Sequence, residues 1–276
     1  MRTSRKVAVA AAASLLAVSL AACASDNTSG GGSGDSITIG IKFDQPGLGQ
    51  QVGSDYKGFD VDVARYVAKE LGYKNITFKE APSAQRETLL QSGQVKMIFA
   101  TYSITEERQQ KVSFAGPYLV AGQDLLVRSD ETSITGPDTL NGKKLCSVTG
   151  STSAETVKEK FANEVQLQEY DTYSKCVDPI INGTLDAMTT DDSILAGYAA
   201  QPQYKGKLKL VGKPFTEENY GVGIKKGDTE LCGKINDALD KMVSDGTWQK
   251  DLDANFGPSG YKPDPSKNPP KHIPCS

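Results

Sequence analysis

Histidine is nearly missing from this chain of 276 residues: the one that occurs is His272, close to the end. No two cysteines stand at the Cys-x-x-Cys spacing. Both absences argue against a metal site. Neither a Gly-x-Ser-x-Gly nor a His-Glu-x-x-His run occurs, which removes two common hydrolase signatures. Charge of one sign is also lacking, with 31 basic against 34 acidic residues and a formal net charge of −3. That balance argues against a nucleic-acid partner. It leaves an anionic small ligand open, because a site's local charge can oppose the net charge. The chain has no solenoid repeat, and its apolar run at 7–20 is too short for a comfortable membrane span.

What stands at the beginning has a different character. Arg2, Arg5 and Lys6 form a basic head, the apolar run follows, and Leu20-Ala21-Ala22-Cys23 ends it. Small residues before a cysteine resemble the bacterial lipobox, which implies a lipoprotein signal peptide over 1–22 and lipidation of Cys23. Residues 23–34 are then rich in Gly and Ser, a flexible tether unable to build a core. Without 1–22 the balance becomes 28 basic against 34 acidic residues, or −6. An exported chain sits in an oxidising place, so Cys146, Cys176, Cys232 and Cys275 suggest two disulfides. Four cysteines allow three pairings, and sequence alone does not choose among them. The favoured set is Cys146–Cys176, close in the chain, with Cys232–Cys275, which would staple a Pro-rich tail at 257–276 lacking any apolar period.

The rest alternates strands and helices, the pattern of an α/β protein with parallel-rich sheets covered on both faces. Strands are expected at 37–41, 76–79, 95–99, 124–128, 144–148, 164–170, 208–211 and 220–224. Helices are expected at 58–71, 83–90, from the stretch 149–155 to about 162, 174–182, 193–200 and 230–245, with a short one starting at 105 and a short closing segment at 247–256. Residues 42–57 and 114–118 read as a polar loop and a break. The pattern resets at 129–137, which suggests two lobes of ordinary domain size.

The stretch at 58–71 organises the chain. Val61, Ala64, Val67, Ala68 and Leu71 recur at helical spacing, Gly58 supplies a turn, and Asp60 and Asp62 put negative charge at the positive end of the helix dipole. Its Gly-Phe-Asp-Val-Asp opening resembles the signature of the family 3 solute-binding proteins of polar amino-acid ABC transporters, closest to the glutamate/aspartate-binding lipoproteins. The resemblance implies a two-lobe, periplasmic-binding-protein-like (type II) fold with a hinge and an inter-lobe cleft. Lobe 1 would comprise 35–128 and 220–256, and lobe 2 would comprise 129–219. Ligands of such sheets sit at the C-terminal ends of strands.

An amino acid buried in a dry cleft needs each of its charges paired. Arg108, following Thr101, Ser103 and Thr105 on one loop, resembles the family's clamp for the α-carboxylate, a task that suits a planar guanidinium fork. Thr149, Ser151 and Thr152 open a helix whose free N–H groups make an anion seat. Asp191 falls where the family binds the ammonium, with Asp192 as the neighbouring alternative. Arg86, in Ser83-Ala84-Gln85-Arg86, matches the Ser-x-x-Arg run of the acidic amino-acid binders. Lys42 adds positive charge, and Gln45 is placed to bond a distal carboxylate. Phe43 and Tyr102 are the candidates for an aromatic against the ligand.

The resemblance therefore implies an extracytoplasmic, lipid-anchored receptor. It would capture free glutamate, or aspartate, without a cofactor and deliver it to the membrane subunits of an ABC importer. A glutamine or asparagine receptor is the alternative. An enzyme on the same fold is the rival class, opposed by the missing hydrolase motifs and the tail position of His272.

Overall fold

The structure, a computed structural model, describes residues 35–161 and 165–275. The expected signal peptide, Cys23 and the tether lie outside the described residues. Strand β1 (Ser36–Ile41) leads into a small antiparallel meander, β2 (Asp44–Gln45), β3 (Gly49–Val52) and β4 (Asp55–Lys57), and then into α1 (Phe59–Glu70). Next come β5 (Asn75–Glu80), α2 (Arg86–Gln91), β6 (Met97–Phe99), α3 (Glu106–Lys111) and β7 (Ser113–Ala121). A second set follows: β8 (Gln123–Arg128), β9 (Lys144–Val148), α4 (Thr152–Phe161), β10 (Gln166–Tyr170), α5 (Ser174–Ile181), β11 (Ala187–Asp191), α6 (Asp192–Ala199) and β12 (Leu208–Leu210). The chain returns through β13 (Glu218–Ile224) and ends in α7 (Thr229–Ser244), α8 (Thr247–Phe256) and an irregular tail. Among the described residues no helix is long and apolar enough to cross a membrane.

Two five-stranded sheets result. The first has the order β5-β1-β6-β13-β7, with β1 parallel to β5 and β6, and β13 antiparallel to β6 and β7. The second has the order β10-β9-β11-β8-β12, with β9 parallel to β10 and β11, and β8 antiparallel to β11 and β12. The first crossing is therefore the single residue Gly122 between β7 and β8, not a point after Arg128, and β8 belongs to the second lobe. Residues 211–217 form the return. The crossings touch: a Cβ at Gly122 would come within 2.8 Å of Pro214 Cβ and Thr216 O. Phe215 N–H donates to Gln123 O (2.9 Å), and Gln123 N–H donates to Thr216 Oγ1 (3.0 Å).

Two stretches differ from the sequence expectation. The polar loop at 42–57 contains the meander, whose strands of two to four residues give too little alternation to show a period. The break at 114–118 is continuous strand, because β7 lies at a sheet edge, where Pro117 removes a donor that no neighbour requires.

Helix α1 explains its own sequence. A Cβ at Gly58 (φ 122°) would lie 2.0 Å from Leu48 O, so only glycine fits. Phe59 is fully buried against Trp248 (centroids 5.9 Å, edge-on), Phe256 (5.8 Å) and Tyr118 (6.3 Å), a burial worth roughly 1.5–3 kcal/mol. Asp60 serves more than the helix dipole. It is fully buried, accepting Tyr118 O–H (2.7 Å) and Thr101 N–H (2.9 Å). Burial raises its carboxyl from 3.8 to about 6, against the opposing pull of those two hydrogen bonds.

Both favoured disulfides are present, with Cα atoms 5.9 Å apart for Cys146–Cys176 and 5.8 Å for Cys232–Cys275, inside the usual range. The second ties the tail to α7. Upstream of it, Ile273 N–H donates to Gly116 O (2.7 Å), and the Asn268 amide pairs with both backbone groups of Val120 (2.9 and 3.0 Å). The tail thus covers part of the β7 edge, as exposed edge strands require.

Two predictions follow from these packing facts. Replacing Cys232 and Cys275 by serine frees a loop of 43 residues and lowers the unfolding free energy by up to about 4 kcal/mol, read from urea midpoints. A loss under about 1 kcal/mol would mean that the tail constrains nothing. For Asp60, a folded carboxyl near 6 against an ordinary 3.8 means that folding favours the protonated form. Its contribution is full below about pH 4 and is lost as pH rises through 6. The stability of wild type relative to Asp60→Asn therefore falls across that window by up to about 3 kcal/mol. A difference flat in pH would disprove the burial account.

Candidate functional site

The loops at the C-terminal ends of the parallel strands of both sheets face one another. Between them lies a small, nearly closed cavity of about 10 Å³. Lobe 1 contributes Ser83, Arg86, Thr101 and Arg108 to its wall. Lobe 2 contributes Ser151, Thr152, Ser153, Tyr173, Asp191 and Ile194. A larger groove between α8 and the tail is lined mostly by apolar side chains, such as Trp248, Leu252 and Phe256, and lacks a matched set of buried charges.

Arg108 is buried, and its guanidinium reaches both lobes. One Nη donates to Ser103 O (2.8 Å) in lobe 1 and the other to Gly150 O (3.1 Å) in lobe 2. Thr105 caps the helix that carries it, accepting Arg108 N–H (3.2 Å). Glu87 lies 3.8 Å from Arg108 Nε. Arg86 is 2% exposed, and among the described residues its guanidinium has one hydrogen bond, a long one from Nε to Ala81 O (3.4 Å). Burial, then the neighbouring Arg108, disfavours its charged form. Both guanidiniums lie about 5 Å from the Tyr102 ring, at 4.9 and 5.0 Å, and gain cation–π attraction there.

Across the cavity Asp191 is 3% exposed. Tyr220 O–H donates to it (2.5 Å), and Ser153 Oγ stands at 3.5 Å. Burial and the nearby Glu218 push its carboxyl well above the ordinary range, against the Tyr220 hydrogen bond. A cation beside it would reverse that cost. Thr101 holds φ at 47°, rare for a residue with a branched Cβ. Such strain amounts to about 1–3 kcal/mol and persists because surroundings over-determine it. Here Asp60 fixes the Thr101 N–H, while its Oγ1 donates to Ala100 O (2.7 Å) and meets the Gln45 amide at 3.2 Å.

Four residues expected at the site stand elsewhere. Lys42 is fully buried, but its Nζ faces Asp44 at 3.4 Å and sits over the Tyr173 ring at 5.9 Å, outside the cavity wall. Burial lowers its pKa, against the pull of Asp44. Gln45 acts behind the wall, on Thr101. Ser103 gives its carbonyl to Arg108, and its hydroxyl faces Thr152 Oγ1 at 3.5 Å. Thr149 is exposed, with its N–H given to Tyr170 O (2.9 Å). Ser151 lines the cavity while capping α4, accepting Ala154 N–H (3.0 Å).

The aromatic on the wall is Tyr173, neither Phe43 nor Tyr102. Phe43 packs on Tyr56 (5.0 Å), and Tyr102 backs the arginines. Burial pushes the Tyr173 phenol up to about 12. Sequence reasoning missed it, together with Ser153 and Ile194, because each sits at a helix start with no periodic or motif signal. A further set of contacts closes the cleft at its rim. Tyr198 O–H, from α6, donates to Asp44 O, Ser174 N–H donates to the Asp44 carboxylate (3.3 Å), and Gly197 abuts Pro46.

A profile of the Bacterial extracellular solute-binding proteins, family 3, matches residues 37–258. The chain is 47% identical to the glutamate-binding protein GluB of Corynebacterium efficiens, over 92% of this chain and 91% of that one. It is 37% identical to the ABC transporter glutamine-binding protein GlnH of Bacillus subtilis, over 89% and 95% of the two chains. Among solved structures, an ancestral arginine-binding protein bound to arginine matches with a TM-score of 0.76 at 35% identity, over 81% of this chain and 99% of that one. Another, bound to glutamine, matches with a TM-score of 0.75 at 35% identity, over 81% and 98%. The two-lobe fold, the facing loops and the matched profile agree: this chain belongs to the bacterial extracellular solute-binding proteins, family 3.

Proposed function

We propose that this protein captures glutamate in the cavity between its lobes and hands it to an ABC importer. The observation that carries the reading is the charge on the cavity wall. Arg86 and Arg108 face Asp191, a sum of +1, which a ligand of charge −1 cancels. Glutamate's two carboxylates and one ammonium supply three matching groups: the α-carboxylate for Arg108, the distal carboxylate for Arg86 and the ammonium for Asp191. Lys42 drops out of this count because Asp44 compensates it. Glu87 stands 3.8 Å from Arg108, so a neutral amino acid leaves the Arg86 guanidinium, which has no carboxylate within ion-pair distance among the described residues, buried without a counter-charge, at a cost of several kcal/mol. The identity with two corynebacterial GluB proteins supports the same ligand.

Capture by closure fits the two crossings, with rotation about Gly122 and 211–217 bringing α6 onto the loop at Pro46. A signal peptide over 1–22 and a lipid on Cys23 would hold the receptor at the outer face of the cell membrane, next to the importer. Glutamine is the second reading, favoured by the 37% identity to GlnH.

Calorimetric titration separates the two ligands. Arg108→Ala lowers affinity for glutamate and glutamine alike. Arg86→Ala lowers glutamate affinity by about 2–4 kcal/mol and glutamine affinity by much less, since only glutamate carries the second carboxylate. Equal losses for both ligands would remove the acidic-ligand assignment. Lys42→Met affects both alike, through the rim contact with Asp44.

Gly197 gives an independent handle on closure. A Cβ there would stand 2.0 Å from Pro46 O, across the cleft. Gly197→Ala therefore weakens glutamate binding at least tenfold and abolishes ligand-induced compaction in small-angle scattering. The same change raises or preserves the stability of the ligand-free protein, because alanine favours a helix over glycine by about 1 kcal/mol. Normal compaction in this variant would count against the closure geometry.

A further inference from the structure

The tail after α8 converges on the hinge. Asn268 pairs with Val120, two residues before the Gly122 crossing, and Lys267 Nζ meets Glu217 of the return crossing at 2.8 Å. Tyr261 O–H donates to Asp192 Oδ1 (3.0 Å). That same oxygen accepts Gly122 N–H (3.3 Å) and Ser193 N–H (2.7 Å), while Asp192 N–H donates back to Gly122 O (2.8 Å). One carboxylate thus connects the tail, the first crossing and the start of α6. The residue before it, Asp191, lines the cavity. On the lobe 1 side Tyr261 packs, tilted, against Phe256 (5.0 Å), which packs on Phe59, and Cys232–Cys275 fastens the far end of the tail to α7.

We propose that the tail is a hinge brace, with Tyr261 as a positioning residue. Through Asp192 it fixes the rotation of the Gly122 crossing and so the placement of Asp191 opposite the two arginines. The inference rests on reading the cavity as the amino-acid site. A phenol donating to a partly buried carboxylate makes a charge-assisted bond. Tyr261 is anchored in lobe 1 and Asp192 in lobe 2, so the bond is made at the hinge angle seen here and lost as the lobes swing apart. It favours the closed form for every ligand and discriminates among none. Lys267 and Glu217 are both about half exposed, 47% and 50%, and a bridge of that kind contributes little.

Tyr261→Phe keeps the ring on Phe256 and removes only the O–H. The dissociation rate of glutamate rises about tenfold with the association rate within about twofold, and affinity for weaker ligands falls by the same factor. Lys267→Met stays within about twofold of wild type. A purely structural role for Tyr261 would lower the urea midpoint of the ligand-free protein without moving the dissociation rate, and that result overturns the brace. The Cys232→Ser, Cys275→Ser double variant, whose tail is cut faster by protease, binds glutamate more weakly. A released tail with unchanged affinity also overturns it. Should wild type bind no acidic amino acid, the proposed ligand falls and the brace is read without one: amide exchange at Gly122 speeds up in Tyr261→Phe, and unchanged exchange refutes it.

Discussion

A guanidinium taken out of water must find acceptors, and Arg108 finds them on opposite sides of a cleft, at Ser103 O and Gly150 O. The arrangement around it follows from that need. Thr105 starts the helix that carries it, Tyr102 lies against its face, and Gly150 must be glycine because a Cβ there would stand 2.8 Å from Ala84 of the other lobe. Arg86 is buried beside it with a single, long hydrogen bond among the described residues. The pair is costly to bury: Glu87 stands 3.8 Å from Arg108 and Asp191 lies across the cavity, but among the described residues no carboxylate reaches ion-pair distance of Arg86, so an apolar filling would not relieve it.

The polar interior behind the wall is organised with the same economy of groups. Asp60 looks like a helix-dipole residue in the sequence, yet its two oxygens join α1, the loop after β6 and the middle of β7 through Thr101 and Tyr118. That bond helps to hold Thr101 in its left-handed backbone. The signature around Gly58 is therefore a packing and positioning motif. Its glycine admits Leu48, its phenylalanine fills the core, and its first aspartate sets the cavity floor from behind.

Much of this was legible in the sequence, for identifiable reasons. Helix α1 and most strands follow from period and composition, and the cysteine count suggested two disulfides without choosing their pairing. Ser83, Arg86, Thr101, Arg108, Ser151, Thr152 and Asp191 line one cavity as their loops suggested. What stayed hidden depends on three-dimensional partners. Lys42 reads as a ligand group until Asp44 is seen beside it. Tyr173 has no motif around it. The lobe boundary was misread because β8 looks like the next strand of the first sheet, whereas pairing with β11 and β12 assigns it to the second.

That boundary has a consequence for how the chain acquires its shape. Every strand of the second sheet lies between Gln123 and Leu210, so it is continuous in sequence. The first sheet is interrupted, because β7 joins it only through β13, whose residues begin at Glu218. A chain emerging amino end first has all of the second sheet available while the first still exposes β6 and β7 without the strand between them. Closing that gap brings together segments roughly a hundred residues apart, a slow kind of contact that leaves strand edges open in the interim. The lobe made first is thus the one completed last, and its strand edges stay unpaired until β13 is in place.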